Sequence, residues 1–98
     1  MSSQLEAILN SVNDEQSFLR FLQALAEDWK DEQQKESTTQ SLPYGSGANG
    51  WENGTIGAYL DAAARWGDTS IGGLAFYEKP SNAWKRAAQI LYMGKIYE

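Results

Sequence analysis

Apolar side chains recur every three or four residues in four separate stretches of the chain, and this spacing constrains the fold more than any other feature. Such steps place side chains on one face of an α-helix, whereas a half-buried strand alternates apolar and polar residues. The strongest stretch has steps of four, three and four residues between its apolar members, which are Phe18, Leu22, Leu25 and Trp29. No stretch of the chain shows a strand-like alternation. The pattern predicts an all-α protein.

Start and stop signals divide the chain into four helices. The first two cover about residues 3–11 and 14–35, the third begins near residues 53–55, and the fourth begins at residues 80–82. Asn13 and Ser81 are the predicted N-caps of the second and fourth helices. Gly67 and Gly94 are the predicted stops of the third and fourth. The predicted buried faces of these last two helices hold Ile56, Tyr59, Leu60, Ala63, Ala64, Trp84, Ala87, Ala88 and Leu91, while Lys85 and Arg86 face water.

Glycine, proline and small polar residues dominate residues 37–54, where no apolar period exists. Residues 37–50 are therefore predicted to form a long flexible loop that carries Tyr44, either as a set of turns or as an adaptable contact surface. Trp51 precedes a helix, a position from which an apolar side chain often packs back onto it. The 98 residues suit a small single-domain bundle of three to four helices, covering residues 1–98. Within it, Leu74 to Tyr77 are expected to form a short extended piece over the core.

The chain has no histidine and no cysteine, which removes the residues on which much enzyme chemistry depends. Zinc sites, Ser-His-Asp triads and thiolate nucleophiles are excluded within this chain. No glycine-rich phosphate loop is present, because no Lys-Ser or Lys-Thr pair follows the glycines. The composition predicts a protein that is not an enzyme and that holds neither a cofactor nor a metal.

Charge is unevenly distributed along the chain, whose net charge is −5. Residues 1–52 hold nine acidic and three basic side chains, whereas residues 53–98 hold four and five. Proteins bind nucleic acid and anionic membranes through clusters of lysine and arginine, so neither partner is expected. A basic protein partner complements an acidic half. No signal peptide or apolar run long enough to span a bilayer is apparent, and a cytoplasmic location is expected.

The densest acidic cluster lies on the second helix and has Trp29 inside it. Positions 28 and 32 share one face of the helix, as do positions 27 and 31. Such a cluster is either a ridge that docks against a basic partner, a site for Mg²⁺ or Mn²⁺, or a solvated helix face. Its members are Glu27, Asp28, Asp31 and Glu32.

Several motifs in the chain resemble those of a family of small uncharacterised bacterial proteins, over roughly residues 12–98. They are Asn13-x-x-x-x-Phe18, Trp51-Glu52-Asn53-x-Thr55-Ile56-x-x-Tyr59-Leu60-x-Ala62-x-x-x-Trp66, Trp84-x-x-x-Ala88-x-Ile90-Leu91 and Lys95-Ile96-Tyr97-Glu98. Trp51-x-Asn53 and the closing four residues are the most specific. No activity is established for that family, so the resemblance implies no catalytic residue. Its small acidic members are similar in kind to immunity proteins, which protect a bacterium from a toxin.

The resulting hypothesis is an immunity protein that binds a cognate toxin domain, a basic nuclease, and blocks its active site sterically and electrostatically. The predicted contact residues are Glu27, Asp28, Asp31, Glu32, Tyr44 and Trp51. The alternative is a structural adaptor or homodimeric interaction module without catalytic activity. The oligomeric state stays open at this point.

Overall fold

The computed structural model describes residues 2–38 and 49–98, and it consists of four helices joined by irregular chain. The helices are α1 (Ser2–Asn10), α2 (Glu15–Thr38), α3 (Ile56–Thr69) and α4 (Ala83–Ile96). Among the described residues, the β-structure amounts to an isolated antiparallel bridge between Leu74 and Tyr77. The predicted all-α helical bundle is confirmed. Tyr44 and residues 39–48 of the predicted flexible loop lie outside the described residues.

The N-caps of α2 and α4 each lie one residue later than predicted. Asp14, not Asn13, caps α2, because its Oδ1 accepts the backbone N–H of Ser17 at 2.8 Å. The Ser17 hydroxyl and N–H hold the pKa of the Asp14 carboxyl below its usual value. Asn82, not Ser81, caps α4, because its Oδ1 accepts the N–H of Lys85 at 3.0 Å. In both cases the cap is the polar residue next to the first helical turn.

The predicted stops at Gly67 and Gly94 are wrong, because both glycines lie inside helices where two elements come close together. A Cβ placed on Gly67 would lie 3.5 Å from the side chain of Ile90. A Cβ placed on Gly94 would lie only 2.8 Å from the ring of Tyr59. The missing side chain of Gly94 therefore allows α4 to approach Tyr59 of α3, whereas the distance at Gly67 is an ordinary contact that a methyl group could make.

The core lies where α1 crosses the pair formed by α2 and α4. Phe18 contacts Trp84 near the starts of these two helices, with ring centroids 5.3 Å apart, and Asp28 contacts Lys95 further along both. Helices α2 and α4 therefore run parallel. The buried apolar residues at this junction are Leu5, Leu9, Val12, Phe21, Leu25 and Ala88. None of the helices in the described part of the chain is both long and apolar enough to cross a membrane.

Helix α3 runs antiparallel to α4 and buries a face of small residues and one tryptophan: Ala62, Ala63 and Trp66. The prediction that Ile56 and Leu60 belong to this buried face is wrong, since they are 81% and 56% exposed. The reason is that nothing packs opposite them. No Cα atom of α2 lies within 8 Å of one in α3 anywhere in the described chain, so a gap separates the two helices.

The connection from α3 to α4 contains a tight turn at residues 74–77. Tyr77 packs on Trp66 with ring centroids 5.0 Å apart, but Phe76 is fully exposed, so the expected extended piece over the core is wrong. The expectation that Arg86 faces water is wrong as well. Its guanidinium donates to the carbonyl of Gly67 at 2.8 Å and lies 5.2 Å from the ring centre of Trp66. Arg86 thereby ties the turn to the helices.

Candidate functional site

The gap between α2 and α3 is an open apolar groove, with a cavity volume of about 450 Å³. This volume is within the range of sites that accommodate drug-sized ligands. One wall comes from α2, the other from α3, and the end is closed by the chain that leads into α3. The lining residues are Leu22, Leu25, Ala26, Trp29, Trp51, Asn53, Gly54, Thr55, Ile56, Tyr59 and Leu60.

Three aromatic side chains form a continuous floor in this groove. Trp51 lies between the other two: its ring centroid is 5.2 Å from that of Trp29 and 5.8 Å from that of Tyr59. The Tyr59 hydroxyl donates to the carbonyl of Leu91 at 2.7 Å, which attaches the floor to α4. Burial raises the pKa of the Tyr59 phenol to about 12. The Tyr59 hydroxyl is therefore bonded inside the protein, while its ring lines the groove.

Two carboxylates of α2, those of Asp28 and Glu32, hold Trp51 in place through hydrogen bonds. The indole Nε1 donates to Asp28 Oδ2 at 2.8 Å, and the Trp51 backbone N–H donates to Glu32 Oε1 at 3.3 Å. The same Glu32 oxygen accepts the N–H of Asn49 at 3.0 Å. Asn49 also donates through its side chain to the carbonyl of Asp28. Trp51 is thus fixed at both its ring and its backbone, so little ordering is left to occur when a ligand binds.

The cation that balances Asp28 comes from the other end of the chain. Lys95 Nζ lies 2.7 Å from Asp28 Oδ2 and 5.6 Å from the ring centre of Trp51. Lys95 is 1% exposed and Asp28 5%, so the pair is inside the protein. A buried charge is tolerated only when it is paired and hydrogen-bonded, and Asp28 meets both conditions with two donors on one oxygen. Every buried side-chain nitrogen and oxygen among the described residues has a partner.

The predicted acidic ridge does not exist as a single surface. Asp28 and Glu32 do share a helix face, but that face points inward, so the prediction that they contact a partner is wrong: Glu32 is 3% exposed. The physical reason is that both carboxylates satisfy donors of the chain around Trp51. Glu27 is exposed on the side of α2 that faces α1. Asp31 pairs with Lys35 at 3.0 Å, and hydrogen bonds from Asn49 and Lys35 lower its pKa.

The site therefore unites four of the six predicted contact residues, which are Asp28, Asp31, Glu32 and Trp51, but only Trp51 borders the groove. Glu27 lies elsewhere on α2, and Tyr44 lies outside the described residues. Among the described side chains, no group of three or more acidic residues is placed to hold a metal ion. The arrangement turns apolar surface outward and its charges inward, which suits binding by shape and apolar contact.

Sequence reasoning missed Asn49, Asn53 and Lys95, although the two most specific motifs contained a signal for the last two. These motifs meet in space. Asn53 Nδ2 donates to the carbonyls of Gly94 and Tyr97 at 3.0 and 2.8 Å, and the Glu52 N–H donates to the carbonyl of Lys95 at 2.9 Å. Pairing the Trp51-x-Asn53 element with the closing Lys95-Ile96-Tyr97-Glu98 would have predicted this contact.

Residues 14–98 match the family of unknown function DUF7660. The chain belongs to this family. No curated protein and no solved structure matches the chain.

The DUF7660 match begins at the Asp14 cap of α2 and includes every residue of the groove and of the network beneath it. Helix α1 lies before the match begins, and it packs against α2 and α4 on the side away from the groove. The groove and the network are thus both part of the DUF7660 segment.

Proposed function

We propose that this protein acts by binding another protein in the groove between α2 and α3, and that it is an immunity protein whose partner is a toxin domain. The observation that carries the proposal is the groove itself: a preformed apolar cleft with an aromatic floor and, among the described residues that line it, no carboxylate, lysine or arginine. Clefts of this kind are the usual sites for an apolar anchor of a partner. An enzyme active site needs titratable groups that face the substrate.

The exposed residues at the groove mouth support a protein partner. Ile56 and Leu60 stand out from α3 into water, where they gain nothing for the stability of the free protein. Trp51 is already fixed by Asp28 and Glu32 before a partner arrives. Binding free energy at protein interfaces is concentrated in such rigid aromatic residues and their apolar neighbours, because few rotamers are lost.

The net charge of −5 supports the choice of a basic toxin domain acting in the cytoplasm. A nuclease attracts a polyanion, and an acidic inhibitor is drawn to the same field, which speeds the encounter. Because Asp28 and Glu32 are buried, this field comes from the remaining exposed acids, including Glu27, and acts on the rate of approach. The groove then supplies the contacts that keep the complex together.

The test uses the purified toxin domain encoded by the reading frame next to that of this protein. We expect the wild-type chain to bind it and to inhibit its nuclease activity, with an association rate that falls as salt is raised. Ile56→Asp should weaken binding about 30-fold or more, as expected for an interface hot spot. Phe76→Asp is the matched control, because Phe76 is equally apolar and exposed but lies outside the groove. Absence of binding, or equal effects of the two variants, contradicts the proposal.

A further inference from the structure

Two Asn-Gly steps flank Trp51 in the chain that enters α3, where residues 49–54 read Asn-Gly-Trp-Glu-Asn-Gly. The side-chain amide of Asn49 donates to α2, and that of Asn53 donates to the C-terminal end of α4. Trp51 is therefore held between two asparagine amides of the same segment. None of the other asparagines in the sequence precedes a glycine.

An asparagine that precedes glycine can lose its amide without an enzyme, which is one reason why asparagine is thermally labile. The glycine backbone nitrogen attacks the asparagine Cγ, the Cγ–Nδ2 bond breaks, and ammonia leaves with the proton of the glycine N–H. Water then adds to either carbonyl of the resulting cyclic imide and opens it to aspartate or isoaspartate. Glycine favours the first step, because it has no Cβ to hinder its nitrogen and its backbone rotates freely.

The fold protects Asn49 from this reaction. Asn49 is 8% exposed, and its Nδ2 donates to the carbonyl of Asp28 and to Asp31 Oδ2, both at 3.0 Å. Its Oδ1 accepts from Lys35 Nζ at 2.9 Å. Both ends of the amide are fixed, so Cγ cannot turn towards the nitrogen of Gly50 until these hydrogen bonds break.

Asn53 is held less completely. Among the described residues it is bonded through Nδ2 only, to the carbonyls of Gly94 and Tyr97 at 3.0 and 2.8 Å. Asn53 is half-buried at the edge of the groove, and Gly54 after it is exposed, with no atom within 4 Å of a Cβ placed there. Water and base therefore reach the Gly54 nitrogen, and opening of one contact frees the amide to turn.

We propose that Asn53 is a site of spontaneous deamidation, and that the carboxylate formed there releases this segment from α4. A carboxylate only accepts hydrogen bonds, whereas the amide donates to two carbonyl oxygens. The new charge also lies at the C-terminal end of a helix, where the helix dipole disfavours an anion. The amide does not re-form, so a modified chain permanently lacks one of the two amides between which Trp51 is held.

Ageing the purified chain at mildly alkaline pH tests the site. Peptide mass spectrometry measures the fractions of Asn49 and Asn53 that become aspartate or isoaspartate over time. In the folded chain, Asn53 should react severalfold faster than Asn49. In urea both Asn-Gly steps lose their contacts, so the two asparagines should react at similar rates.

Gly54→Ala is the matched control for the chemistry. Gly54 does not have a positive φ, and a methyl group there meets no atom within 4 Å, so the fold and the hydrogen bonds of Asn53 should be kept. The methyl group hinders attack by the backbone nitrogen. Modification of Asn53 should therefore be severalfold slower in Gly54→Ala than in the wild type.

Asn53→Asp reproduces one product in an unaged chain, and Asn53→Ala removes the same hydrogen bonds without adding charge. Both variants should unfold at a lower urea concentration than the wild type. Asn53→Asp should have the lower midpoint, because only this variant places a charge against the carbonyls of Gly94 and Tyr97. The Glu52 N–H, which donates to the carbonyl of Lys95 in the same contact, should exchange faster with solvent in Asn53→Asp.

Three results overturn the proposal. The first is a folded chain in which Asn53 stays intact, or reacts no faster than Asn49, while both react in urea. The second is equally fast modification of Asn53 in Gly54→Ala and in the wild type. The third is an Asn53→Asp chain that unfolds like the wild type or like Asn53→Ala, which shows that the carboxylate itself releases nothing. All these measurements use the chain alone, so their outcome is independent of the test for a toxin partner.

Discussion

The last turn of α4 and the first turn of α3 lie on either side of the groove floor, and they distribute charge and apolar surface in opposite ways. On α4, the charged Lys95 is almost completely buried; on α3, the apolar Ile56 is almost completely exposed. Globular proteins usually have the reverse arrangement. The difference teaches that the two regions contribute differently to the fold: the buried polar contacts position Trp51, whereas the exposed apolar residues are the ones that the proposed partner would contact.

The buried ion pair is a positioning device rather than a source of stability. Removing two charges from water costs free energy that their mutual attraction often fails to repay. Asp28 nevertheless binds Lys95 and Trp51 through one oxygen, and so connects α2, α4 and the chain that enters α3. An apolar pair in its place would lack the directional bond that fixes the indole. The network is therefore less stabilising than an apolar pair could be, but it fixes the position of the groove floor.

The largest expected effect comes from removing the buried cation. Lys95→Met leaves Asp28 without its charge partner inside the protein and should lower the free energy of unfolding by about 3–5 kcal/mol. Urea unfolding measures this loss. Adding Asp28→Asn to Lys95→Met should recover a large part of it, because the uncompensated charge is then gone.

Arg65→Met is the matched control for Lys95→Met. Arg65 also pairs with an aspartate, Asp61, at 2.9 Å, but the pair is exposed. Exposed pairs contribute about 0–1 kcal/mol, so this variant should unfold at nearly the wild-type urea concentration. Equal losses of unfolding free energy in the two variants would show that the buried pair matters no more for stability than an exposed pair.

The next effect compares two helical glycines on either side of the floor. Gly94→Ala places a methyl group against the Tyr59 ring, which its hydrogen bond to Leu91 holds in place, and should cost about 1–3 kcal/mol. Gly57→Ala adds a methyl group where no atom lies within 4 Å, and should stabilise by about 0.4–1 kcal/mol. Thermal unfolding measures both. A Gly94→Ala chain as stable as the wild type would mean that the floor can move.

The helices could be predicted from sequence because their signals are local. Helix α2 was expected over 14–35 and is found at Glu15–Thr38, since the steps from Phe18 to Trp29 depend only on helix geometry. Cap positions were wrong by one residue, because neighbouring polar residues compete for the same N–H groups. Local pattern was therefore sufficient for the existence of α2 but not for the atomic detail of its start.

The groove could not be predicted, because it depends on what packs against each helix. Periodicity placed Ile56 and Leu60 on one face of α3 but carries no information on whether a neighbour covers that face. The predicted stop at Gly94 placed Lys95 beyond the last helix, and its partner Asp28, 67 residues away in sequence, could not be recognised from local pattern. The acidic residues of α2 were interpreted as a surface ridge for the same reason: the donors that bury them belong to distant parts of the chain.

The smallest effect is confined to alkaline pH and tests whether the groove floor is dry. Burial raises the pKa of Tyr59 to about 12 in the folded chain, against an ordinary value of 10.0. The unfolded chain therefore loses this proton at lower pH than the folded chain. The stability that depends on the Tyr59 proton is fully present below pH 10 and is lost as the pH rises from 10 towards 12. The free energy of unfolding should therefore fall with pH in this window.

Urea unfolding between pH 9 and 11.5 measures this slope, with Tyr59→Phe as the comparison and Tyr92→Phe as the control. Burial and the Glu6 carboxylate also raise the pKa of Tyr92 to about 12, but this residue lies outside the groove. Removing either hydroxyl should make the slope shallower. If Tyr59→Phe alone leaves the slope unchanged, water reaches the phenol through the open groove. The groove floor would then be solvated, like the exposed Ile56 on α3, and not dry, like the buried Lys95 on α4.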